Sequence, residues 1–297
     1  MQKLKAKELI IQRKLLTWYK KNKRELPWRK LHRNKLPNPY FVLISEYMLQ
    51  QTTVGTVKRR FEEFVHKWPT INFLANISES KILSFWSGLG YYSRARNLLK
   101  TAKIINKDFK GKIPNTYNDL IKLPGIGDYT AKAILGIAYN KPVMPIDANI
   151  ERIISRVYGF RSPLNKIKYE VIEKSKNFIS YNDSNNLIQS FMDYGSLICT
   201  PRNPNCKNCF IKLDCIAFTN NLHNIIPVKL KIKSLKRKKY SRAYIFCNEK
   251  NEILVRKRSS KGMLASMLEV PNDNWVIDKK KLVHDNIVHK VIFFVMI

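Results

Sequence analysis

Four of the five cysteines lie in one short stretch and are the residues best suited to binding a metal. Their spacing is Cys199-x6-Cys206-x2-Cys209-x5-Cys215. Because four thiolates in so short a loop can surround one compact centre, we interpret them as ligands of a [4Fe-4S] cluster. Zinc is the alternative, but four-cysteine zinc sites usually contain two separate C-x2-C pairs, and only one such pair is present. We expect Cys247, outside the loop, to be a buried structural thiol.

Two carboxylates stand where their surroundings could prepare them for acid-assisted bond cleavage. Glu46 lies in an apolar helical stretch, and burial would raise its pKa and make it a general acid near neutral pH. An exposed helix glutamate is the alternative. Asp147 follows the apolar Pro145-Ile146 at the start of a predicted helix, where it can serve as N-cap and stay ionised. Such a pair fits the cleavage of a glycosidic bond.

Two glycine-containing turns have compositions suited to binding nucleic acid. In Leu123–Ala131, Gly125 and Gly127 would permit positive φ and bring backbone N–H groups against a phosphate at the following helix. A helix C-cap turn is the alternative. The segment Leu89–Arg96 combines apolar, aromatic and basic side chains, which suits the unstacking of bases, although it could equally be a packed turn.

The charge balance favours a polyanionic partner. The chain has 55 Lys and Arg against 22 Asp and Glu, a net charge of +33. Such a field attracts nucleic acid by releasing its counterions, although a coding bias towards lysine would also produce part of this excess. A run of eighteen apolar residues and a secretory signal are both lacking, so we expect a cytoplasmic, nucleoid-associated protein without membrane contact.

Apolar periodicity predicts an all-α region up to Cys215. An amphipathic helix covers Leu4 to Tyr19, and Asn38-Pro39 resembles an N-cap followed by proline at the first helical position. Further helices are predicted at Val54 to Phe64, Lys81 to Trp86, Ser93 to Asn106, Tyr117 to Lys122, Tyr129 to Tyr139, Ala148 to Tyr158, Ile167 to Ser180 and Leu187 to Leu197. After a basic stretch, Ala243 to Phe246 and Ile253 to Arg256 flank Asn248 to Asn251 as in a β-hairpin.

From Leu26 to Cys215 these segments, in this order, resemble the adenine DNA glycosylase family of the helix-hairpin-helix superfamily. The motifs that carry the resemblance are Leu26-Pro27-Trp28-Arg29, Ser45-Glu46 with Gln50-Gln51-Thr52, Gly88-Leu89-Gly90-Tyr91-Tyr92, the glycine hairpin, Asp147-x-Asn149, and the cysteine loop after Met192-Asp193-Tyr194-Gly195. Ala148 replaces the commonest residue, glycine, and Lys30 to Pro37 is longer than the usual connection.

The resemblance implies a role for each matching residue. Glu46 would protonate N7 of an extruded adenine, and Asp147 would stabilise or trap the oxocarbenium species. Tyr129 and Asn149 would support the site. The residues expected to bind adenine or the duplex are Trp28, Arg29, Gln50, Gln51, Thr52, Leu89, Tyr91, Gly125 and Gly127. The partner would be double-stranded DNA with adenine opposite 8-oxoguanine or guanine, bound by a monomer.

The resemblance also implies the domain organisation. Residues 1–227 would form the catalytic domain, a six-helix barrel and an iron–sulfur subdomain with the loop 199–215. Residues 228–240 would be a basic linker, and 241–297 an incomplete, partial α+β Nudix-like domain. Because such domains usually run to about 100 residues, we expect a weakened preference for 8-oxoguanine.

Two other functions fit parts of the sequence. An endonuclease III-like glycosylase and lyase, acting on oxidised pyrimidines or on thymine in mismatches, shares the cysteine spacing. It carries a lysine nucleophile where this chain has Tyr129, and Lys132 is three residues away. We therefore predict a monofunctional glycosylase. A DNA-binding remnant without activity is the other alternative, but Glu46, Asp147 and the four cysteines are all present.

Overall fold

The computed structural model describes residues 6–31, 35–228, 238–259, 262, 265, 267–277 and 292–296. The chain forms two compact units, Met1–Leu230 and Lys231–Ile297. The described helices all lie in the first unit: α1 (Ala6–Asn22), α2 (Pro39–Leu49), α3 (Val54–Lys67), α4 (Ile71–Ala75), α5 (Glu79–Phe85), α6 (Ser93–Asp108), α7 (Tyr117–Leu120), α8 (Asp128–Tyr139), α9 (Ala148–Tyr158), α10 (Leu164–Ser175), α11 (Ser184–Leu197) and α12 (Ile216–Thr219).

Short polar residues fix where many of these helices begin. Asn38 caps α2 by accepting a hydrogen bond from the Tyr40 backbone N–H at 2.9 Å, and Pro39 occupies the first turn, as predicted. Threonine or serine side chains cap α3, α4, α5 and α7 in the same way. Each cap satisfies a backbone N–H that the helix itself leaves without a partner.

The packing of five helices builds the centre of the first unit. α11 packs against α1, α8 and α9, and α2 packs against α8. From Val42 to Met48, every side chain of α2 is buried, so this helix lies inside the core rather than on its surface. This arrangement brings the middle of α2 close to the first turns of α8 and α9.

Most of the predicted helices are confirmed, and the differences concern short elements. α4 and α12 were not predicted, because helices of five and four residues contain too little of an apolar repeat to be recognised reliably. The four-residue α7 was predicted only as part of a longer range, Tyr117 to Lys122. The helix predicted at Ile167 to Ser180 begins at Leu164 and ends at Ser175, where a 3₁₀ turn, Lys176–Phe178, follows. Within the described residues, no helix is long and apolar enough to cross a membrane.

The second unit contains short antiparallel strands. β1 (Lys239–Ala243) pairs with β4 (Ile292–Met296), and β2 (Arg256–Lys257) pairs with β3 (Leu268–Glu269). The predicted hairpin is present as a turn closed by one bridge between Cys247 and Ile253, but its flanking strands are displaced from the predicted ranges. Cys247 is exposed, so its prediction as a buried thiol was wrong. Most of the predicted linker 228–240 lies outside the described residues.

Candidate active site and cysteine loop

A cavity of about 570 Å³ in the first unit collects most of the predicted site residues. This volume suits a ligand the size of a nucleobase with its sugar. The predicted residues that line it are Trp28, Arg29, Glu46, Gln50, Gln51, Thr52, Tyr129, Asp147 and Asn149. Leu89, Tyr91, Gly125 and Gly127 are not among its lining residues.

Glu46 is buried in the wall of this cavity, with 6% of its surface exposed. Burial raises its pKa to about 7, the hydrogen bond with Tyr129 opposes the rise, and the charge of Asp147 adds to it. The expectation that burial would raise the pKa of Glu46 is therefore confirmed. Near neutral pH a large fraction of Glu46 carries a proton that it can donate.

Asp147 caps α9 with one carboxylate oxygen and contacts Asn149 with the other. Oδ1 accepts from the Ile150 backbone N–H at 2.7 Å, and Oδ2 accepts from Asn149 Nδ2 at 2.7 Å. Burial raises the pKa of Asp147, while these hydrogen bonds and the charge of Arg152 oppose the rise. The cap and the cavity position coexist, as the sequence predicted.

The buried Arg152 holds the side chain of Asn149 in place by a hydrogen bond. Arg152 Nη2 donates to Asn149 Oδ1 at 2.8 Å and to the Gly195 carbonyl at 2.6 Å, and Nε donates to the Cys199 carbonyl at 2.6 Å. Gly195 is required at this crossing of α9 and α11, because a Cβ there would lie 2.5 Å from Asn149 Cβ. One guanidinium therefore contacts both the cavity wall and the first residue of the cysteine loop.

Arg29 is positioned by a carboxylate that does not reach the cavity. Its Nη1 and Nη2 atoms donate to Asp193 Oδ2 and Oδ1 at 2.7 and 2.8 Å. Arg24, which also lines the cavity, donates to the same carboxylate from Nε at 2.6 Å. Burial alone would raise the pKa of Asp193, but the hydrogen bonds and charges of Arg29 and Arg24 outweigh it and lower the pKa. The carboxylate of Asp193 thus holds in place two arginines that line the cavity.

Gln189 is a polar lining residue that the sequence did not indicate. It is 3% exposed, and its Nε2 donates to Asn185 Oδ1 at 2.5 Å. Its Oε1 is buried and has no hydrogen-bond partner in the described part of the chain. Buried acceptors are normally paired, so this oxygen is an exception that calls for an explanation. A glutamine inside an amphipathic helix gives no signal by which sequence reasoning could have found it.

The predicted duplex-contacting turn is organised by the buried Arg94. Its guanidinium donates to the carbonyls of Met48 and Leu89, each at 2.8 Å, and to Thr52 Oγ1 at 3.0 Å. Leu89, expected as a wedge, is 5% exposed and belongs to the core, which supports the packed-turn alternative for that residue. Tyr91 is 62% exposed with a φ of 48°, so it is the side chain available to the solvent.

The glycine hairpin differs in detail from its prediction. Gly125 has a φ of +82° and lies close to Asn97 and Tyr47, so glycine is required there. Gly127 caps α8 with a φ of −97°, and the prediction of positive φ was wrong for it. A Cβ on Gly127 would meet nothing within 4 Å. Gln50 Nε2 donates to the Gly125 carbonyl at 3.3 Å, which joins the hairpin to the end of α2.

The four cysteines of the loop line one small cavity. The five cysteines of the chain are all free thiols. The described residues contain no group of three or more His, Cys, Asp or Glu side chains that could hold a metal ion.

The surroundings of these thiols suit a group with positive charge. Burial raises the pKa of Cys206 and Cys209, and that of Cys215 to about 11. Arg156 Nη1 donates to Cys199 Sγ at 3.2 Å, and the buried His223 Nδ1 has no partner within the described residues. Thiolates are the metal-binding form of cysteine, so this donor set needs an electropositive occupant to ionise. The residues present therefore fit an iron–sulfur cluster.

Comparisons with known proteins give the family. Residues 44–177 match the model of the HhH-GPD superfamily of base excision DNA repair proteins. An adenine DNA glycosylase of Buchnera aphidicola subsp. Baizongia pistaciae is 37% identical over 268 residues, which cover 89% of this chain and 74% of that protein. Its counterpart in subsp. Schizaphis graminum is 38% identical over 267 residues, covering 87% and 73%. A rat adenine DNA glycosylase is 36% identical over 211 residues, 69% of this chain and 41% of that protein.

Solved structures agree on the fold. A thermostable thymine-DNA glycosylase superposes with a TM-score of 0.65 at 27% identity, covering 72% of this chain and 97% of that one. A non-covalent endonuclease III–DNA complex gives a TM-score of 0.60 at 21% identity, covering 73% and 99%. The helical unit therefore has the HhH-GPD fold, and with the identities to the Buchnera proteins it follows that the chain belongs to the adenine DNA glycosylase family.

Proposed function

We propose that the chain hydrolyses the N-glycosidic bond of adenine in DNA, at adenines paired with 8-oxoguanine or guanine. The observation that carries this proposal is the pair of unlike carboxyl groups in one cavity. Glu46 is buried with a pKa of about 7, and Asp147 lies across from it at the start of α9. Membership of the adenine DNA glycosylase family supports the choice of base.

Glu46 acts as the general acid. Its proton passes to N7 of an adenine extruded into the cavity, which turns the base into a neutral leaving group and weakens the C1′–N9 bond. When the bond breaks, its electron pair leaves with adenine and positive charge develops on the deoxyribose. Burial keeps the proton on Glu46 until the base arrives, and Tyr129, hydrogen-bonded to this carboxyl group, holds it in place.

Asp147 stabilises the positive charge that develops on the sugar. It receives hydrogen bonds from Ile150 N–H and Asn149, both of which favour its ionised form. Asn149 cannot turn away, because Arg152 binds its Oδ1 and Gly195 packs against its Cβ. Water then adds to C1′, its proton returns to a carboxylate, and the products are adenine and an abasic site.

The cavity residues complement the edges of adenine. Gln189 Oε1, which has no partner in the described residues, would accept a hydrogen bond from the exocyclic amino group. Arg29, fixed by Asp193, would donate to a ring nitrogen, and the buried Trp28 provides an apolar wall. A site with such polar groups rejects a base that leaves them unpaired.

Double-stranded DNA is the proposed partner, bound by one copy of the chain. The net charge of +33 attracts the duplex. A Cβ on Gly127, the N-cap of α8, would meet nothing within 4 Å, so there is room for a phosphate to approach this helix start. Tyr91, exposed on its turn, would enter the base stack.

We propose that excision is not followed by strand cleavage by this chain. A lyase needs an amine that can form a Schiff base with the sugar. Tyr129 occupies the first turn of α8 facing Glu46, while Lys132 lies outside the cavity with its Nζ 2.9 Å from Asp128 Oδ1. The likeness to a thymine-DNA glycosylase makes thymine the alternative base to be tested.

Cys199, Cys206, Cys209 and Cys215 would hold a [4Fe-4S] cluster. When bound, such a cluster supplies positive charge that keeps the four thiolates ionised and closes the loop around one centre. The chain's own contribution is to exclude water and to donate hydrogen bonds to sulfur, as Arg156 does to Cys199. Iron and acid-labile sulfide assays on purified protein test this assignment.

The deciding experiment is a single-turnover assay on duplexes with adenine opposite 8-oxoguanine or guanine, and with thymine opposite guanine. Half of each sample is heated in alkali, which cleaves abasic sites. Strand breaks that require alkali and an adenine substrate are expected. Breaks without alkali, trapped by borohydride, would indicate a lyase, and excision of thymine rather than adenine would refute the proposal.

A further inference from the structure

Tyr194 makes a contact that neither the fold nor the proposed reaction explains. It lies in α11, is fully buried, and its hydroxyl donates to Cys209 Sγ at 3.2 Å. The same hydroxyl oxygen accepts the backbone N–H of Phe210 at 2.9 Å. Because the Phe210 N–H occupies the oxygen, the hydroxyl proton is directed to the sulfur rather than to the backbone.

The position of this hydroxyl is fixed by a ring contact and by the anchoring of the preceding residue. Tyr194 packs edge-to-face against Trp18 of α1, with ring centroids 4.9 Å apart. The preceding residue, Asp193, is held by Arg24 and Arg29. The side chain therefore has little freedom to turn its hydroxyl away from Cys209.

We propose that Tyr194 is a hydrogen-bond donor to the cluster-ligating sulfur of Cys209 and that it raises the reduction potential of the cluster. This inference rests on the proposed [4Fe-4S] cofactor. Reduction places additional negative charge on the cluster and its thiolates, and an O–H dipole pointing at one thiolate stabilises that charge. Hydrogen bonds to the sulfurs are among the features that set such potentials.

The test compares holo-protein carrying Tyr194→Phe with wild type by voltammetry on an electrode, which supplies the electron. Tyr194→Phe removes only the hydroxyl and retains the ring against Trp18. A shift of the reduction potential to more negative values is expected. An unchanged potential in a variant with full iron content would overturn the proposal.

Tyr40→Phe is the matched control. Tyr40 is buried, and its hydroxyl donates to the Trp68 carbonyl at 2.6 Å, so the substitution removes a comparable hydrogen bond away from the cysteines. Its potential is expected to equal that of wild type. If both variants shift the potential equally, the effect is a general loss of stability and the proposal fails.

A second variant keeps the proposal testable if Tyr194→Phe does not retain iron. Site-specific 3-fluorotyrosine at position 194 preserves the ring and gives a more acidic, stronger donor, so the potential is expected to move to more positive values. No shift would refute the role of Tyr194. Wild-type protein without iron or sulfide would instead refute the cofactor assignment, which separates the two failures.

Discussion

The first unit contains two buried cavities, one with Glu46 and Asp147 and one with the four cysteines. They differ in how far the protein alone prepares their functional side chains for a role. In the first, each carboxylate already has a protein partner, Tyr129 or Asn149. In the second, burial raises the pKa of three thiols. The first site is therefore preorganised for chemistry, whereas the thiols of the second would need the proposed cluster in order to ionise. Changes in the first should affect rate, and changes in the second should affect folding.

Asp147→Asn should have the largest effect on rate, a loss of about a thousandfold in single-turnover excision, because it removes the charge that stabilises the sugar cation. Asparagine is as good an N-cap as aspartate, so the unfolding temperature should stay within about 2 °C of wild type. The measurements are the single-turnover excision rate and the thermal unfolding temperature. An excision rate within about tenfold of wild type would show that the charge of Asp147 is not needed for the reaction.

Glu46→Gln should reduce excision about a hundredfold, since amide nitrogen cannot supply the proton. In wild type, the rate should fall as the pH rises through about 7, where Glu46 loses its proton. A pH–rate profile from single turnovers checks this, and a rate that rises through the same range would contradict the assignment of Glu46 as the acid.

The same substitution gives a prediction for stability. Folded Glu46 keeps its proton up to about pH 7, whereas in the unfolded chain it ionises near 4.5, so the folded state binds more protons between these values. The free energy of unfolding should therefore fall as the pH rises through this window, by up to about 3 kcal/mol. Glu46→Gln should be more stable than wild type at pH 8 and should show less of this fall in denaturant titrations.

Cys215→Ser should lower the unfolding temperature by more than about 5 °C, because the loop loses a ligand and with it the bound iron. The excision rate per folded molecule should stay close to that of wild type, even though the unfolding temperature falls. Cys247→Ser, which replaces an exposed thiol outside the loop, is the control and should retain iron. Equal iron content in both variants would show that Cys215 is not needed to bind the metal.

Gly195→Ala should have the smallest effect, a loss of about tenfold in excision, because its Cβ displaces Asn149 from Asp147. Overpacking should also cost about 1–3 kcal/mol in stability. Gly55→Ala provides the stability control, since a Cβ at this position in α3 meets nothing within 4 Å. An unchanged rate in Gly195→Ala would show that Asn149 does not position Asp147.

Much of the helical framework was predictable from sequence, because caps and apolar repeats are local signals. Asn38-Pro39 and Asp147 marked helix starts that the structure confirms. The gathering of Glu46 and Asp147 in one cavity followed only from resemblance to a family, since residues a hundred positions apart carry no local sign of contact. Gln189 and Asp193 could not be predicted as partners of the cavity, because their significance lies in which helix faces meet.

The contact between α1 and α11 sets a condition on the order in which the first unit can be completed during synthesis. Trp18 packs on Tyr194, and Lys14 Nζ pairs with Asp214 Oδ2 at 2.7 Å across 200 residues of chain. At a synthesis rate of about 5–20 residues per second, these partners are made about 10–40 s after α1. Because most helical stability comes from tertiary packing, and α1 packs mainly on α11 and on the 3₁₀ turn Lys176–Phe178, α1 completes its packing only after these elements are made. Docking of the N-terminal helix and completion of the cysteine loop are thus both late events in the synthesis of the first unit.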